Sequence, residues 1–188
     1  MDFKQQIQKY RPYNEQEERD KQTMLKWMDR FEDVLTRKNE IAHFTASAWV
    51  VNRERTKVLM IYHNIYQSWA WTGGHSDGES DLLQTAMREV KEETGVENMK
   101  PLCDDIFSLE ILCVNGHVKN GKYVSSHLHF NVTYLLEVDE TELLHSKPDE
   151  NSGVKWILVE DVTKVSNEKW MCEKVYSKLI EKLRKRKI

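Results

Sequence analysis

An α+β sandwich, with a mixed β-sheet held between helices, is the fold class this sequence predicts, and three observations predict it. Two β-forming stretches, Phe44 to Asn52 and Val58 to His63, flank the charged turn NRERTK and read as an early hairpin. A helix crowded with carboxylates, about Asp81 to Thr94, stands between that hairpin and two later long strands, Ile106 to Val114 and His127 to Val138. Elements in this order do not make the repeating βαβ series of a doubly wound parallel sheet. With 188 residues the chain suits one domain with a full core, and 39% hydrophobic with 31% charged residues is the balance of a soluble globular protein.

Taken in order, residues 1–40 read as a helical extension packed on a domain formed by residues 41–188. Pro12 and Asn14 mark a helix entry, and Met24, Trp27, Met28, Phe31, Val34 and Leu35 recur at helical spacing, the mark of a core-facing stripe. No Gly/Ser/Pro-rich linker, repeat or low-complexity segment separates this extension from the domain. After the hairpin, Trp69 to Trp71 form a short extended piece leading to Gly73-Gly74, where missing side chains allow close backbone approach and positive φ. In the acidic helix Leu83, Met87, Val90 and Thr94 make a docking stripe, and Gly95 falls where a left-handed stop is expected. The connection NGHVKNGKYVSS carries Asn-Gly turn signals. A polar loop, KPDENSG, precedes the strand Val154 to Val159, and Asn167 to Ile188 is an amphipathic helix whose basic RKRK end reads as solvated.

Several function classes are disfavoured. A formal net charge of −3 offers no general attraction to nucleic acid or an anionic membrane, and no apolar run is long enough to span a bilayer. The opening MDFKQQIQKY lacks the apolar core of a secretory signal, so a cytoplasmic location is expected. Cys103, Cys113 and Cys172 are scattered and form no C-x-x-C pair, which suggests packing rather than a disulfide framework or a cysteine zinc site. His127 and His129 alternate with Leu128 and Phe130 as one face of a strand, and read as lining a pocket or sitting satisfied in the sheet rather than as a zinc pair.

The chemistry is concentrated in Gly73 to Val96. On a helix Glu89, Glu92 and Glu93 fall on one arc about 100° wide, because positions three and four apart are neighbours. Their repulsion costs a few tenths of a kcal/mol per pair, and a divalent cation reverses that sign. Mg2+ is usually held by one or two carboxylates while keeping waters and substrate phosphates. The pattern Gly74, five residues, Ser80, seven residues, then Arg88-Glu89-Val90-Lys91-Glu92-Glu93-Thr94-Gly95-Val96 resembles the Nudix box of Nudix hydrolases, and every fixed position but one matches. The exception is Ser80, where the box has its first glutamate. Either Ser80 replaces that residue, or Glu79, one position early, takes over its role; Ser80 followed by Asp81 favours a helix N-cap at Ser80. GGHSDGESDLL, HLHF, and Glu150 with Val154 and Trp156 extend the resemblance more softly.

The resemblance implies the Nudix fold over about residues 40 to 165 and a hydrolase dependent on Mg2+ or Mn2+. Its substrate would be a nucleoside diphosphate linked to another moiety, cleaved at the diphosphate bond by water attack on phosphorus. It assigns Glu92 and Glu93 as main metal ligands, Glu89 as ligand or general base, the Gly74 carbonyl as a further ligand, and Arg88 as the residue that holds Glu89. By spacing alone Arg88 is also an i,i+4 partner of Glu92. Gly73, His75 and Glu150 are candidates for substrate contact; Glu150 is also a candidate ligand or base, beside its plainer reading as a solvated loop acid. Trp49, Trp69, Trp71, Tyr62 and Phe130 are either base-stacking or packing residues. The partner expected is a small nucleoside diphosphate derivative, with neither nucleic acid nor membrane, and a homodimer docked through the N-terminal helix is kept open. Two alternatives stand: a nucleotide-sensing or binding module that keeps the fold with weak catalysis, and a relative of isopentenyl diphosphate isomerase. The second lacks the cysteine that chemistry needs near Gly73-Gly74-His75.

Overall fold

The computed structural model describes residues 2–119 and 121–186. Helices α1 (Phe3–Lys9) and α2 (Glu15–Met28) begin at Asp2 and Asn14, whose side chains each accept an N–H of the first turn at 3.0 Å. The helical stripe stops at Met28, earlier than the spacing of Phe31, Val34 and Leu35 suggests. Those residues lie in a connector whose carbonyls are used elsewhere. Val34 accepts from the Phe44 N–H at 2.7 Å, and Leu35 accepts from the Gly78 N–H at 2.8 Å and the Ser76 hydroxyl at 2.7 Å. A continuing helix would have to surrender those bonds.

The expected hairpin forms as β1 (Ala42–Val51) and β2 (Lys57–His63), joined antiparallel at Val51 and Val58. Strand β3 (Ser68–Ala70) pairs with β2, and β4 (Thr72–His75) pairs with β1. Helix α3 (Leu82–Thr94) comes next, then β5 (Met99–Pro101), β6 (Ser108–Val114), β7 (His117–Lys119), β8 (Lys122–Val124), β9 (His127–Val138) and β10 (Asn151–Leu158). The main sheet has eight strands ordered β10-β2-β1-β9-β5, with β3, β4 and β6 attached beside β2, β1 and β9. Among the described strand pairs β1 and β9 alone run parallel, so the sheet is mixed. The connection before β9 is more than a turn: β7 and β8 form a small hairpin of their own. Gly121 there has φ +74°, while Asn120 of that Asn-Gly pair lies outside the described residues. After β10 come α4 (Val162–Val165), a π-helical turn (Met171–Tyr176) and α5 (Ser177–Lys185). Among the described residues no helix is long and apolar enough to cross a membrane.

Alternation along β1 sorts its side chains onto two faces. Phe44, Ala46, Ala48 and Val50 join Val132, Tyr134 and Leu136 of β9 in a core that also takes Phe3, Ile7 and Met24 from the N-terminal helices and Leu82, Ala86 and Val90 from α3. On the other face Trp49 and Val51 meet Leu135, Val175, Tyr176 and Leu179, which anchors the C-terminal helix. Trp49 and Phe130 are thereby core residues, whereas Tyr62 and Trp69 stay partly exposed, ring to ring at 5.4 Å.

The face that carries Trp49 also holds a buried polar cluster. The Asn131 side-chain oxygen accepts from Thr45 and Ser47 at 3.0 and 2.8 Å, and its amide donates to Glu110 at 3.2 Å. Lys178, only 5% exposed, sits 3.0 Å from Glu110 and 3.1 Å from Glu17, and Lys182 reaches Glu17 at 2.9 Å. These two lysines precede the basic RKRK end, of which Arg184 and Lys185 are exposed, while Lys187 lies outside the described residues. Burial works to raise the Glu17 carboxyl, but Lys178, Lys182, the Tyr10 hydroxyl and the Tyr13 N–H outweigh it and hold the group at about 2. Burial lowers the Lys182 ammonium against the opposing pull of Glu17.

Removing one member of a buried charge cluster strands the others. Lys178→Met should cost roughly 3–5 kcal/mol in urea unfolding, and adding Glu17→Gln and Glu110→Gln should recover part of that loss. Glu17 titrates at about 2 folded against an ordinary 4.5, so the stability it contributes is present above pH 4.5 and lost as pH falls toward 2. Unfolding measured across that window should therefore depend less steeply on pH in Glu17→Gln than in the wild type.

Candidate functional site

Gly73 and Gly74 occupy β4 itself, opposite Ser47 and Ala46 of β1. Neither has the positive φ that sequence allowed; the positive-φ glycines flanking α3 are Gly78 (95°) and Gly95 (74°). What requires glycine in β4 is closeness. A Cβ on Gly73 would lie 2.8 Å from the Ala46 carbonyl oxygen, and one on Gly74 would lie 2.5 and 2.6 Å from the two carboxylate oxygens of Glu89. Glu89 is thus laid directly against the strand backbone.

Helix α3 begins one residue later than Ser80 capping requires. Asp81 is the N-cap, accepting from the Gln84 N–H at 3.2 Å, and Glu79 accepts from the Asp81 N–H at 2.8 Å. Burial of Leu82 and Ala86 in the core sets the helix start, which leaves Ser80 exposed in the preceding turn. Glu79 is occupied in that turn as well. Gly95 closes the helix as the sequence predicts, its N–H on the Lys91 carbonyl at 2.9 Å.

The three carboxylates differ in environment. Glu93 is 3% exposed, and its Oε2 accepts the Gly73 N–H at 3.0 Å; burial pushes its carboxyl well above the usual range despite that bond. Glu89 is also raised, by burial first, against the opposing hydrogen bond from Arg88. Glu92 stays at the surface. Arg88 serves both of its expected partners, with Nη2 2.8 Å from Glu89 Oε1 and Nε 3.7 Å from Glu92 Oε1, and Nη2 also donates to the His75 carbonyl at 3.0 Å. The guanidinium therefore ties α3 to the end of β4.

The KPDENSG loop closes on the same place. Lys147 Nζ lies 3.2 Å from Glu92 Oε2 and 3.1 Å from Glu150 Oε2, so Glu150 converges on the helix acids through a shared cation. Burial works to lower the Lys147 ammonium, and its bonds to Glu150 and Glu92 raise it on balance. Asn151 holds the loop down by donating from Nδ2 to the Glu93 carbonyl at 2.9 Å. Sequence reasoning misses Lys147 and Asn151, whose one trace along the chain is their nearness to Glu150.

These residues fit a hard divalent cation. The donors are carboxylate oxygens from Glu89, Glu92, Glu93 and Glu150 beside the strand carbonyls of β4, Glu93 is buried with a single N–H from Gly73, and Lys147 already marks the cleft as a seat for positive charge. Gly73 and Gly74 border the cleft through their backbone, whereas the His75 ring turns elsewhere, toward His43 at 5.2 Å and His129 at 4.8 Å between centroids. His127 and His129 do share one face of β9, 4.9 Å apart. Burial, then the neighbouring histidines, push the His129 imidazole down to about 2.

The NUDIX domain family profile matches residues 42–179, and the chain belongs to the Nudix hydrolase family. An RNA pyrophosphohydrolase of Pelagibacter ubique (strain HTCC1062) is 31% identical over 98 residues, which is 50% of this chain and only 62% of that relative's length. Among solved structures, an Ap4A hydrolase of C. elegans in a binary complex aligns over 75% of this chain and 94% of its own, with a TM-score of 0.54 and 20% identity. The NUDIX domain of Shewanella oneidensis NrtR, complexed with ADP ribose, aligns over 86% and 96%, with a TM-score of 0.52 and 18% identity. At such identities these two structures speak for the fold.

The cap assignment is open to a direct check. Asp81→Ala should lower stability by about 1 kcal/mol in thermal or urea unfolding, while Ser80→Ala stays within about 0.5 kcal/mol of the wild type.

Proposed function

We propose that this chain is a pyrophosphohydrolase that uses Mg2+ or Mn2+ to cleave the diphosphate bond of a nucleoside diphosphate linked to another moiety. The observation that carries the reading is the convergence of Glu89, Glu92, Glu93 and Glu150 beside the glycine strand, with two of the acids largely withdrawn from water. Such a cluster is costly without a cation and well suited to one that also binds diphosphate oxygens. When bound, the cation neutralises phosphate charge and makes water a stronger nucleophile.

The chain's own groups divide the remaining work. Glu92 and Glu93 would supply most of the ligand oxygens, with the Gly74 carbonyl as a further ligand. Glu89, raised by burial, is the candidate base that takes the proton from the attacking water. Arg88 keeps Glu89 oriented and fastens it to β4 through the His75 carbonyl. Gly73 holds Glu93 through its N–H, and Lys147 keeps Glu92 and Glu150 from splaying apart. Tyr62 and Trp69, partly exposed beside β10, are the aromatic pair available to a base or a leaving group. The relative named as an RNA pyrophosphohydrolase supports hydrolysis of a pyrophosphate bond and does not choose the substrate.

Ser80 favours a second reading, a module that binds nucleotide diphosphates with little turnover, because the first box glutamate is missing and Glu79 is engaged in the turn. A panel of nucleoside diphosphate derivatives assayed for metal-dependent release of nucleoside monophosphate separates the two. For the hydrolase, Glu89→Gln should lower kcat by about 100-fold or more, and Glu92→Gln and Glu93→Gln should each weaken metal activation by about 10–100-fold. Turnover within about threefold of wild type in both ligand variants would defeat the metal assignment. Saturable binding with no release at any Mg2+ or Mn2+ concentration would establish the module.

A further inference from the structure

We propose that His43, His75, His127 and His129 form a binding site for a divalent transition-metal ion of the zinc class, separate from the carboxylate site and independent of the hydrolase reading. One nitrogen from each of the four rings lies within 4.8 Å of the others. The Nε2 atoms of His127 and His129 are 3.1 Å apart, close to the edge of about 3.3–3.4 Å that a tetrahedral Zn–N site imposes on its ligand atoms.

The hydrogen bonds prepare these rings as ligands. His43 Nδ1 lies 2.8 Å from the Asn39 carbonyl, and His127 Nδ1 lies 2.8 Å from the Ser125 carbonyl. A carbonyl only accepts, so both rings carry a proton on Nδ1; the neutral His43 ring keeps an unprotonated Nε2, and the neutral His127 ring has an Nε2 that accepts from His129 until an ion replaces that proton. That is the arrangement in which a backbone carbonyl fixes the tautomer of a metal-ligating histidine. His43 is 4% exposed, and its Nε2 is a buried nitrogen with no hydrogen-bond partner. Orphaned buried polar atoms are costly, and a metal ion would satisfy this one.

Donor chemistry separates the two sites. Four imidazoles suit zinc and its borderline neighbours, whereas Mg2+ takes oxygen ligands and belongs with the glutamates. Four protein ligands close the coordination shell, which is the form of a structural site rather than a catalytic one. The ion would cross-link the first residues of β1 and β9 to the end of β4, where His75 comes after Gly73-Gly74 and offers its carbonyl to Arg88. Loading it would therefore brace the strand against which Glu89 is laid.

Metal-free full-length protein titrated calorimetrically with Zn2+, in millimolar Mg2+, tests this. One equivalent should bind per chain, and Tm should rise by about 5–10 °C at a roughly hundredfold excess over Kd, a rise Mg2+ alone does not produce. Co2+ in place of Zn2+ should give the intense visible bands of a tetrahedral nitrogen field. His127→Gln and His129→Gln should each weaken Zn2+ binding by at least about tenfold, whereas Glu92→Gln should leave it unchanged. His43 is buried and its replacement can disturb folding, so the partly exposed His127 carries the test, with circular dichroism confirming that the variant is folded. Absence of Zn2+ binding, undiminished binding in both folded histidine variants, or its loss in Glu92→Gln would overturn the proposal.

Discussion

Ten residues of β1 run parallel to ten of β9, from Ala42 opposite Leu128 to Val51 opposite Glu137, and the rest of the structure is hung on that register. Because side chains alternate, a slip of one residue would send every one of them to the opposite face. In the observed register Phe44 and Phe130 enter one core, Trp49 and Leu135 the other, Thr45 and Ser47 meet Asn131, and His43 comes level with His129. The same β1 carries β4 on its other edge, so the strand that builds the core also sets the height of Gly73 and Gly74 against α3.

That placement explains why the cleft tolerates so many acids. The apolar side of α3, Leu82, Ala86 and Val90, is committed to the core, which forces Glu89 and Glu93 toward β4. Glycine makes room for one carboxylate, and a backbone N–H receives the other. Both carboxyls are raised by burial, so the site is unfavourably charged unless Arg88, Lys147 or a bound cation offsets it. The second charge cluster, Glu17 and Glu110 with Lys178 and Lys182, is balanced within itself and joins α2 and β6 to α5. One cluster balances its own charges, whereas the other gathers more carboxylates than the cations beside it offset.

How much was legible depended on whether a feature repeats along the chain. The carboxylate helix, the span His127 to Val138, the hairpin and the Gly95 stop arise from periodicity and local backbone rules, and each stands where the sequence puts it. Phe31, Val34 and Leu35 continue the helical spacing by coincidence, because a periodic apolar pattern does not record that the Val34 and Leu35 carbonyls bond to distant segments. Ser80 and Asp81 are both good caps by residue type. Only the burial of Leu82 decides between them.

Sequence alone determined the family resemblance, the mixed α+β class and the acidic face of α3, since all three are written in contiguous residues whose spacing sets which side they share. Tertiary structure alone decided that Gly73 and Gly74 serve close approach rather than positive φ, that Lys147 and Glu150 close on Glu92, and that Lys178 is buried. It also decided that His43 and His75 join the strand pair His127 and His129. Such contacts join residues as far apart as Glu17 and Lys182, 165 positions along the chain, and the packing that brings them together leaves no periodic trace in the sequence between them.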